Sequence, residues 1–277
     1  WNKNLGSVYI QQPTIAVGEG TNTIAYSSDG ITWSGLGKTT FSSVGYGVAW
    51  NGTLWVAVGN GATNTLAYSY DGITWTGLGK TTFSSVGYGV AWNGALWVAV
   101  GNGATNTLAY SSDGINWIGL GNTIFSNYGS GVAWNGALWV AVGNGATNTI
   151  AYSYDGITWV GLEKTTFTDY GFGVVWNGTR WVAVGDGATN TMAYSSDGIT
   201  WTGLEDTVFS VYGYGVAWNK NLGSVYIQQP TIAVGYGSQN TIAYSSDGIT
   251  WSGLGKSVFT TGGVGVAWNG TLWVAVG

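Results

Sequence analysis

The sequence predicts an all-β protein, a β-propeller of four-stranded antiparallel blades, from three observations. First, a phrase of the type GVAWNG…LWVAVG…NTxAYSxDGIxW recurs along the chain, and its marker residues Trp50 and Trp92 are 42 residues apart. Second, each copy contains four short strand candidates, and repeats of about 40 residues with four strands are typical of propeller blades. Third, 49 Gly, 18 Trp and 17 Tyr against 2 Pro indicate short strands joined by glycine turns.

The repeats divide the chain regularly. We predict a single propeller domain over residues 1–277, with repeats starting at residues 1, 50, 92, 134, 176 and 218 and a partial repeat at 268. The first and sixth repeats are longer, because Asn2–Gly18 and Asn219–Gly235 replace a shorter hairpin. The Asp-Gly hairpin occurs six times but the segment before it seven times, so we favour six blades, one of them shared by strands from both termini. Seven blades, the last one incomplete, is the alternative.

One repeat illustrates the predicted blade. Its strand candidates are Gly47–Trp50, Leu54–Val58, Thr65–Ser69 and Ile73–Leu78. Asn-Gly at residues 51–52 and Asp-Gly at residues 71–72 are typical of two-residue type I′ hairpin turns, in which both residues have positive φ. The recurring Trp50, Trp55 and Trp75 are expected to pack within and between blades.

The Asp-Gly hairpins carry a resemblance to a known family. Ser69, Asp71, Gly72 and Trp75 recur in six copies and resemble the Asp-box of sialidase-type propellers, shortened by one residue between Asp and Gly. The resemblance implies that the motif forms the hairpin between the third and fourth strands and that its Asp is a structural turn residue. The six turn residues are Asp29, Asp71, Asp113, Asp155, Asp197 and Asp247.

Charge and composition argue against several partners and sites. The net charge is -5 with no Lys/Arg cluster, so we expect no nucleic acid partner. No apolar stretch approaches the roughly 20 residues of a membrane-spanning helix, so we expect a soluble form without membrane insertion. Cys and His are absent, and we expect neither a metal site nor a cofactor.

The same residues lead us to predict that the protein is not an enzyme. The resemblance to sialidases would require several arginines around a substrate carboxylate, and this chain has a single one, Arg180. Nucleophile pairs that use His or Cys are unavailable. Six of the 12 acidic residues are the repeated turn Asp residues, which would share one environment, whereas a catalytic pair needs two unlike ones.

Two hypotheses for function stay open. The first is a non-enzymatic scaffold for structure or protein interaction, recently amplified or engineered, since the repeats are so alike. The second is a multivalent carbohydrate-binding lectin. In both, the protein or glycan ligand is expected on the face that carries the longer loops, because comparison of the repeats shows variation there. The candidate binding residues are Tyr46, Tyr88, Phe172, Tyr214, Tyr236, Asn60, Asn102 and Asn144.

Overall fold

The computed structural model describes residues 13–218, 230–268 and 273–277. Within these ranges the chain forms antiparallel β-sheets and no helix, so the predicted all-β propeller is confirmed. Consequently, among the described residues there is no helix with the length and apolar character needed to cross a membrane.

Six sheets follow one another along the chain, and we number them as blades. Blade 1 has three strands, β1 Thr14–Val17, β2 Ile24–Ser27 and β3 Ser34–Gly35. The other five have four each: in blade 2, β4 Val44–Trp50, β5 Trp55–Asn60, β6 Leu66–Ser69 and β7 Thr76–Gly77; in blade 3, β8 Val86–Trp92, β9 Trp97–Asn102, β10 Leu108–Ser111 and β11 Ile118–Gly119; in blade 4, β12 Tyr128–Trp134, β13 Trp139–Asn144, β14 Ile150–Ser153 and β15 Val160–Gly161; in blade 5, β16 Tyr170–Trp176, β17 Trp181–Asp186, β18 Met192–Ser195 and β19 Thr202–Gly203; in blade 6, β20 Tyr212–Trp218, β21 Thr231–Tyr236, β22 Ile242–Ser245 and β23 Ser252–Gly253.

The chain ends in a separate hairpin, β24 Gly265–Trp268 and β25 Trp273–Val276. Six hairpin-bearing blades confirm the favoured number. The predicted sharing of a blade by the two termini is wrong for the described residues, because β24 pairs with β25 and not with β1. The physical reason is that the C-terminal repeat brings its own second strand, which satisfies the edge of β24.

The fourth strand of each blade is much shorter than the sequence predicts. In blade 2 it covers only Thr76–Gly77, whereas Ile73–Leu78 was expected. Asp71 Oδ1 accepts the backbone N–H groups of Ile73 and Thr74, which holds that segment in a turn. Backbone groups engaged by a side chain cannot pair in a sheet, so the strand begins only afterwards.

The two hairpin turns are also not the predicted type I′ turns. The only residues with positive φ in the first repeat's turns are Gly52 and Gly72, and neither Asn51 nor Asp71 adopts it. Asn51 Oδ1 instead accepts the N–H of Leu54, and Trp50 pairs with Trp55 across a four-residue connection. Side-chain caps replace the left-handed backbone that a two-residue turn would need.

The hydrophobic core lies between adjacent blades. One cluster contains Val58 and Leu66 from blade 2 together with Phe83, Ala99 and Ala109 at or in blade 3, all essentially buried. The same arrangement recurs around the ring, because small Ala residues on one sheet face the larger side chains of its neighbour. The Trp residues that begin the second strands of blades 3 to 5, namely Trp97, Trp139 and Trp181, are fully buried.

Candidate functional site

The strand directions place two kinds of connection on opposite faces. The first strand of each blade ends at the Asn-Gly turn and the third at the Asp-Gly turn, so both turns lie on one face, which we call the hairpin face. The loops between second and third strands and between blades lie on the other, the long-loop face. The notebook of residues expected to bind a ligand therefore falls on strand ends at the long-loop face, where first strands begin and second strands end.

Aromatic side chains form a continuous row at this face. We call it the aromatic belt; its members are Tyr46, Tyr88, Tyr128, Tyr170, Phe172, Tyr212, Tyr214 and Tyr236. Successive ring centroids are 5.0 Å apart between Tyr46 and Tyr88, 5.4 Å between Tyr88 and Tyr128, and 6.2 Å between Tyr128 and Tyr170. These are ordinary contact distances for aromatic pairs, so the belt is one surface that spans blades 2 to 6.

The belt is thickest at blades 5 and 6. Phe172 lies 5.6 Å from Tyr170 and 5.0 Å from Tyr214, and Tyr212 lies 4.7 Å from Tyr214 and 5.2 Å from Tyr236. All members keep part of their surface accessible, and Tyr46 is 45% exposed. The belt is therefore asymmetric, although the blades that carry it are nearly identical.

Three belt residues were not predicted from the sequence: Tyr128, Tyr170 and Tyr212. Each begins the first strand of its blade, where blades 2 and 3 have Val44 and Val86. Residues two positions apart on a strand point to the same side. Comparing the position two residues before the predicted series would have revealed them.

Electrostatics at the belt favour neutral phenols beside carboxylates. Burial, followed by the neighbouring Tyr170, raises the pKa of Tyr128, and burial raises the pKa of Tyr214 to about 12. Burial and then the charge of Asp169 raise the pKa of Asp186, which adds negative charge near both tyrosines. The phenol groups thus stay protonated at neutral pH and can donate hydrogen bonds.

The predicted amide residues differ in what their side chains do. Asn144 is buried and joins two blades, since its Oδ1 accepts from Asn127 and its Nδ2 donates to the Asp169 carbonyl at 2.6 Å. Asn60 and Asn102 are half-buried, and neither side chain forms a hydrogen bond with another described residue. Of the three, Asn60 and Asn102 can therefore offer their amide groups to a ligand.

The loops around the belt are held by side chains. The Asn64 amide donates to the Thr40 carbonyl at 3.2 Å and accepts the Gly79 N–H at 3.0 Å, and Ser42 Oγ accepts the Ala62 N–H at 2.8 Å. Equivalent contacts recur in the other blades. This network fixes the long-loop face around the belt and gives it a preformed shape.

The turn Asp residues all lie on the hairpin face. Each accepts two backbone N–H groups at 2.7 to 2.8 Å; the six are Asp29, Asp71, Asp113, Asp155, Asp197 and Asp247. These bonds lower the pKa of the Asp71 carboxyl to about 2, chiefly through the Thr74 N–H. They are ionised and engaged in turns, away from the belt.

Comparisons with known proteins give a fold and no family. No family model and no curated protein matches the sequence. Among solved structures, a GH74 enzyme from Niastella koreensis has a TM-score of 0.60 and 17% identity, covering 88% of this chain and 38% of its own. The computationally designed protein Ika8 has a TM-score of 0.57 and 14% identity, covering 91% of this chain and 76% of its own.

These likenesses correct one prediction. The expectation that this protein is not an enzyme is contradicted, because a glycoside hydrolase has the fold from which we argued. The physical weakness of that expectation is that glycoside hydrolysis needs only carboxylates, so the lack of His and Cys does not exclude it. At 17% identity the likeness shows the fold alone, and this chain spans about two fifths of that enzyme's length.

Proposed function

We propose that this protein binds carbohydrate on the long-loop face, along the aromatic belt. The observation that carries the proposal is the unbroken row of half-exposed rings from Tyr46 to Tyr236. One face of a pyranose ring presents C–H groups, and the face of an aromatic ring carries the negative part of its quadrupole, so the two stack favourably. A row of rings offers several such positions in sequence.

Polar groups beside the belt suit the hydroxyl groups of a sugar. The amides of Asn60 and Asn102 both donate and accept hydrogen bonds, and the Asp186 carboxylate accepts them. The protonated phenols of Tyr128 and Tyr214 act as donors. Stacking groups with a few polar groups at their edge are typical of preformed ligand sites, which supports a glycan as the ligand class.

The neighbouring fold supports the same ligand class without assigning a reaction. The GH74 enzyme is a carbohydrate-active protein with this fold at low identity. The proposal concerns binding, and the resemblance of the hairpins to shortened Asp-boxes belongs to it as a proposal. That resemblance is supported by the Ser69, Asp71 and Gly72 contacts and by the Trp75 Nε1 donation to the Gly72 carbonyl at 3.1 Å.

The test is a panel of soluble oligosaccharides measured by isothermal titration calorimetry against three forms of the chain. The first is the natural sequence, and the second carries Tyr46→Ser, Phe172→Ser and Tyr214→Ser. The third carries Tyr70→Ser and Tyr154→Ser, which removes the 64% and 68% exposed tyrosines of the hairpin face. We expect the Kd of a bound oligosaccharide to rise at least about tenfold in the belt variant and to stay unchanged in the control.

A protein-interaction scaffold is the alternative hypothesis, and the same panel separates it. Absence of binding by every oligosaccharide would reject the carbohydrate proposal. Binding that is lost in the Tyr70 and Tyr154 variant, while the belt variant still binds and both remain folded by circular dichroism, would reject the assignment to the long-loop face.

A further inference from the structure

The second observation that calls for a function is a cleft beside blade 1. It has a volume of about 620 Å³ and is bordered by β1, by β4 and by β24. Its walls are largely apolar and include Ile15, Val48, Trp50 and Val266. It lies where blades 2 to 6 each have a first strand, because blade 1 begins, among the described residues, with a second strand.

The chain itself shows what a strand in this place looks like. The residues of β1, Thr-Ile-Ala-Val, are repeated in β21 at residues 231–234. In blade 6 these four residues pair antiparallel with Gly215, Val216, Ala217 and Trp218 of β20. The same backbone edge of β1 has no partner strand among the described residues. The structure of blade 6 therefore defines both the register and the side chains of a partner for β1.

The size of the cleft matches one strand. A strand rises about 3.3 Å per residue, neighbouring strands are about 4.8 Å apart and packed sheets about 10 Å apart, so four residues occupy roughly 630 Å³. The strand β24 has the fitting sequence, but it is seated elsewhere. It packs beside β20, where the Gly263 N–H donates to the Gly235 carbonyl at 3.1 Å, and it pairs with β25.

We propose that this cleft is a docking site for an extended peptide segment of a partner protein, which adds to β1 as the first strand of blade 1. Main-chain hydrogen bonds along a free strand edge supply affinity in this mode of recognition, and pockets for alternate side chains supply specificity. The site is separate from the carbohydrate proposal, although Tyr46 borders both.

The register predicts the peptide sequence that the cleft accepts. A residue without a side chain lies opposite Val17, because at the equivalent Gly215 a Cβ would come within 3.2 Å of Val234 Cγ2 and 3.4 Å of the Gly265 Cα. An apolar residue then lies opposite Ala16, a small one opposite Ile15 and an aromatic one opposite Thr14. The preferred segment is thus Gly-Val-Ala-Trp or a close variant.

The first experiment uses a synthetic peptide with the sequence of residues 210–218, labelled with a fluorophore, and the full chain. Fluorescence anisotropy is expected to show saturable binding. A peptide with Gly215→Val is expected to bind at least about tenfold more weakly, because its side chain enters the space that the neighbouring strands occupy. Absence of binding, or equal binding of the two peptides, would overturn the proposal.

The second experiment tests the register through a disulfide, since the chain contains no cysteine. Ala16→Cys in the chain is expected to react with a Val216→Cys peptide at least about tenfold faster than with an Ala217→Cys peptide, which is one residue out of register. Equal rates would contradict strand addition. The chain with Ala16→Cys and Val266→Cys tests other occupants: a disulfide within one chain identifies β24 itself, one between chains identifies a second copy, and either would overturn the proposal.

Discussion

The Ser69 hydroxyl donates a hydrogen bond of 2.9 Å to the Asp71 carboxylate, and this contact organises the third-to-fourth-strand turn of blade 2. The same hydroxyl accepts the Gly72 N–H at 2.8 Å, and the carboxylate accepts two further backbone N–H groups. All these bonds favour the ionised carboxylate. The turn therefore depends on the charge of one exposed Asp, and the arrangement recurs in every blade.

The acid titration of Asp71 follows from these bonds. Its folded pKa is about 2, below the unfolded value of about 3.9, so the carboxylate stabilises the fold above the unfolded value. That contribution decreases as the pH falls through about 2. We expect a carboxyl titration by NMR to give about 2 for Asp71. A midpoint at or above the unfolded value would show that the turn bonds contribute nothing to the ionised state.

Two blades contain a strained residue that the other blades avoid. Glu163 and Glu205 have φ of 62° and 60° where Gly79 and Gly121 have 75° and 79° in the equivalent loops. A left-handed conformation costs a residue with a side chain about 1 kcal/mol or more. We expect Glu163→Gly to increase the free energy of unfolding by about 1 kcal/mol, measured by urea denaturation.

Glu163→Ala is the matched control for that prediction. It removes the charge but keeps the side chain that makes positive φ unfavourable, so we expect little or no stabilisation. Equal stabilisation by the Ala and Gly variants would mean that charge, and not backbone conformation, limits stability at this position.

Blade 3 offers a double-mutant test of the loop network. The Asn106 amide donates to the Thr82 carbonyl at 3.2 Å and accepts the Gly121 N–H at 3.0 Å, while a Cβ at Gly119 would overlap the Asn106 carboxamide. Asn106→Ala is expected to cost about 1–2 kcal/mol of unfolding free energy. Gly119→Ala is expected to cost a similar amount, because it displaces the same amide.

The two changes should not be additive. In the chain that already carries Asn106→Ala, the added methyl group of Gly119→Ala enters vacated space, so the second change is expected to cost much less than it does alone. Thermal or urea unfolding of the four proteins measures this coupling. Additive losses would show that Gly119 is required for a reason other than the Asn106 contact.

The fold was predictable from the sequence because its determinants repeat. The 42-residue spacing of the marker Trp residues and the Asp-Gly hairpins indicated the blades. Turn details were less predictable, since Asp71 holds Ile73 and Thr74 out of the fourth strand through contacts that a residue-type preference does not reveal. The arrangement of β24 was missed for a related reason: two competing partner strands, β1 and β25, have similar sequences.

The candidate site was predictable only in part. Variation among repeats pointed to Tyr46, Tyr88 and Tyr214, which the structure brings into one belt. It did not separate Asn144, whose amide joins two blades, from Asn60 and Asn102, because all three occupy equivalent positions in the repeat. Only the neighbouring residues, Asn127 and the backbone of Asp169, distinguish Asn144.

The central claim is that carbohydrate binds along the aromatic belt, and NMR of the chain with isotope-labelled tyrosine tests it most directly. An oligosaccharide found to bind is titrated into the labelled protein. We predict chemical-shift changes at belt tyrosines, above all Tyr170, Tyr212 and Tyr214, and none at Tyr70 and Tyr154 on the hairpin face. Changes confined to Tyr70 and Tyr154, or binding without any change at the belt, would contradict the claim.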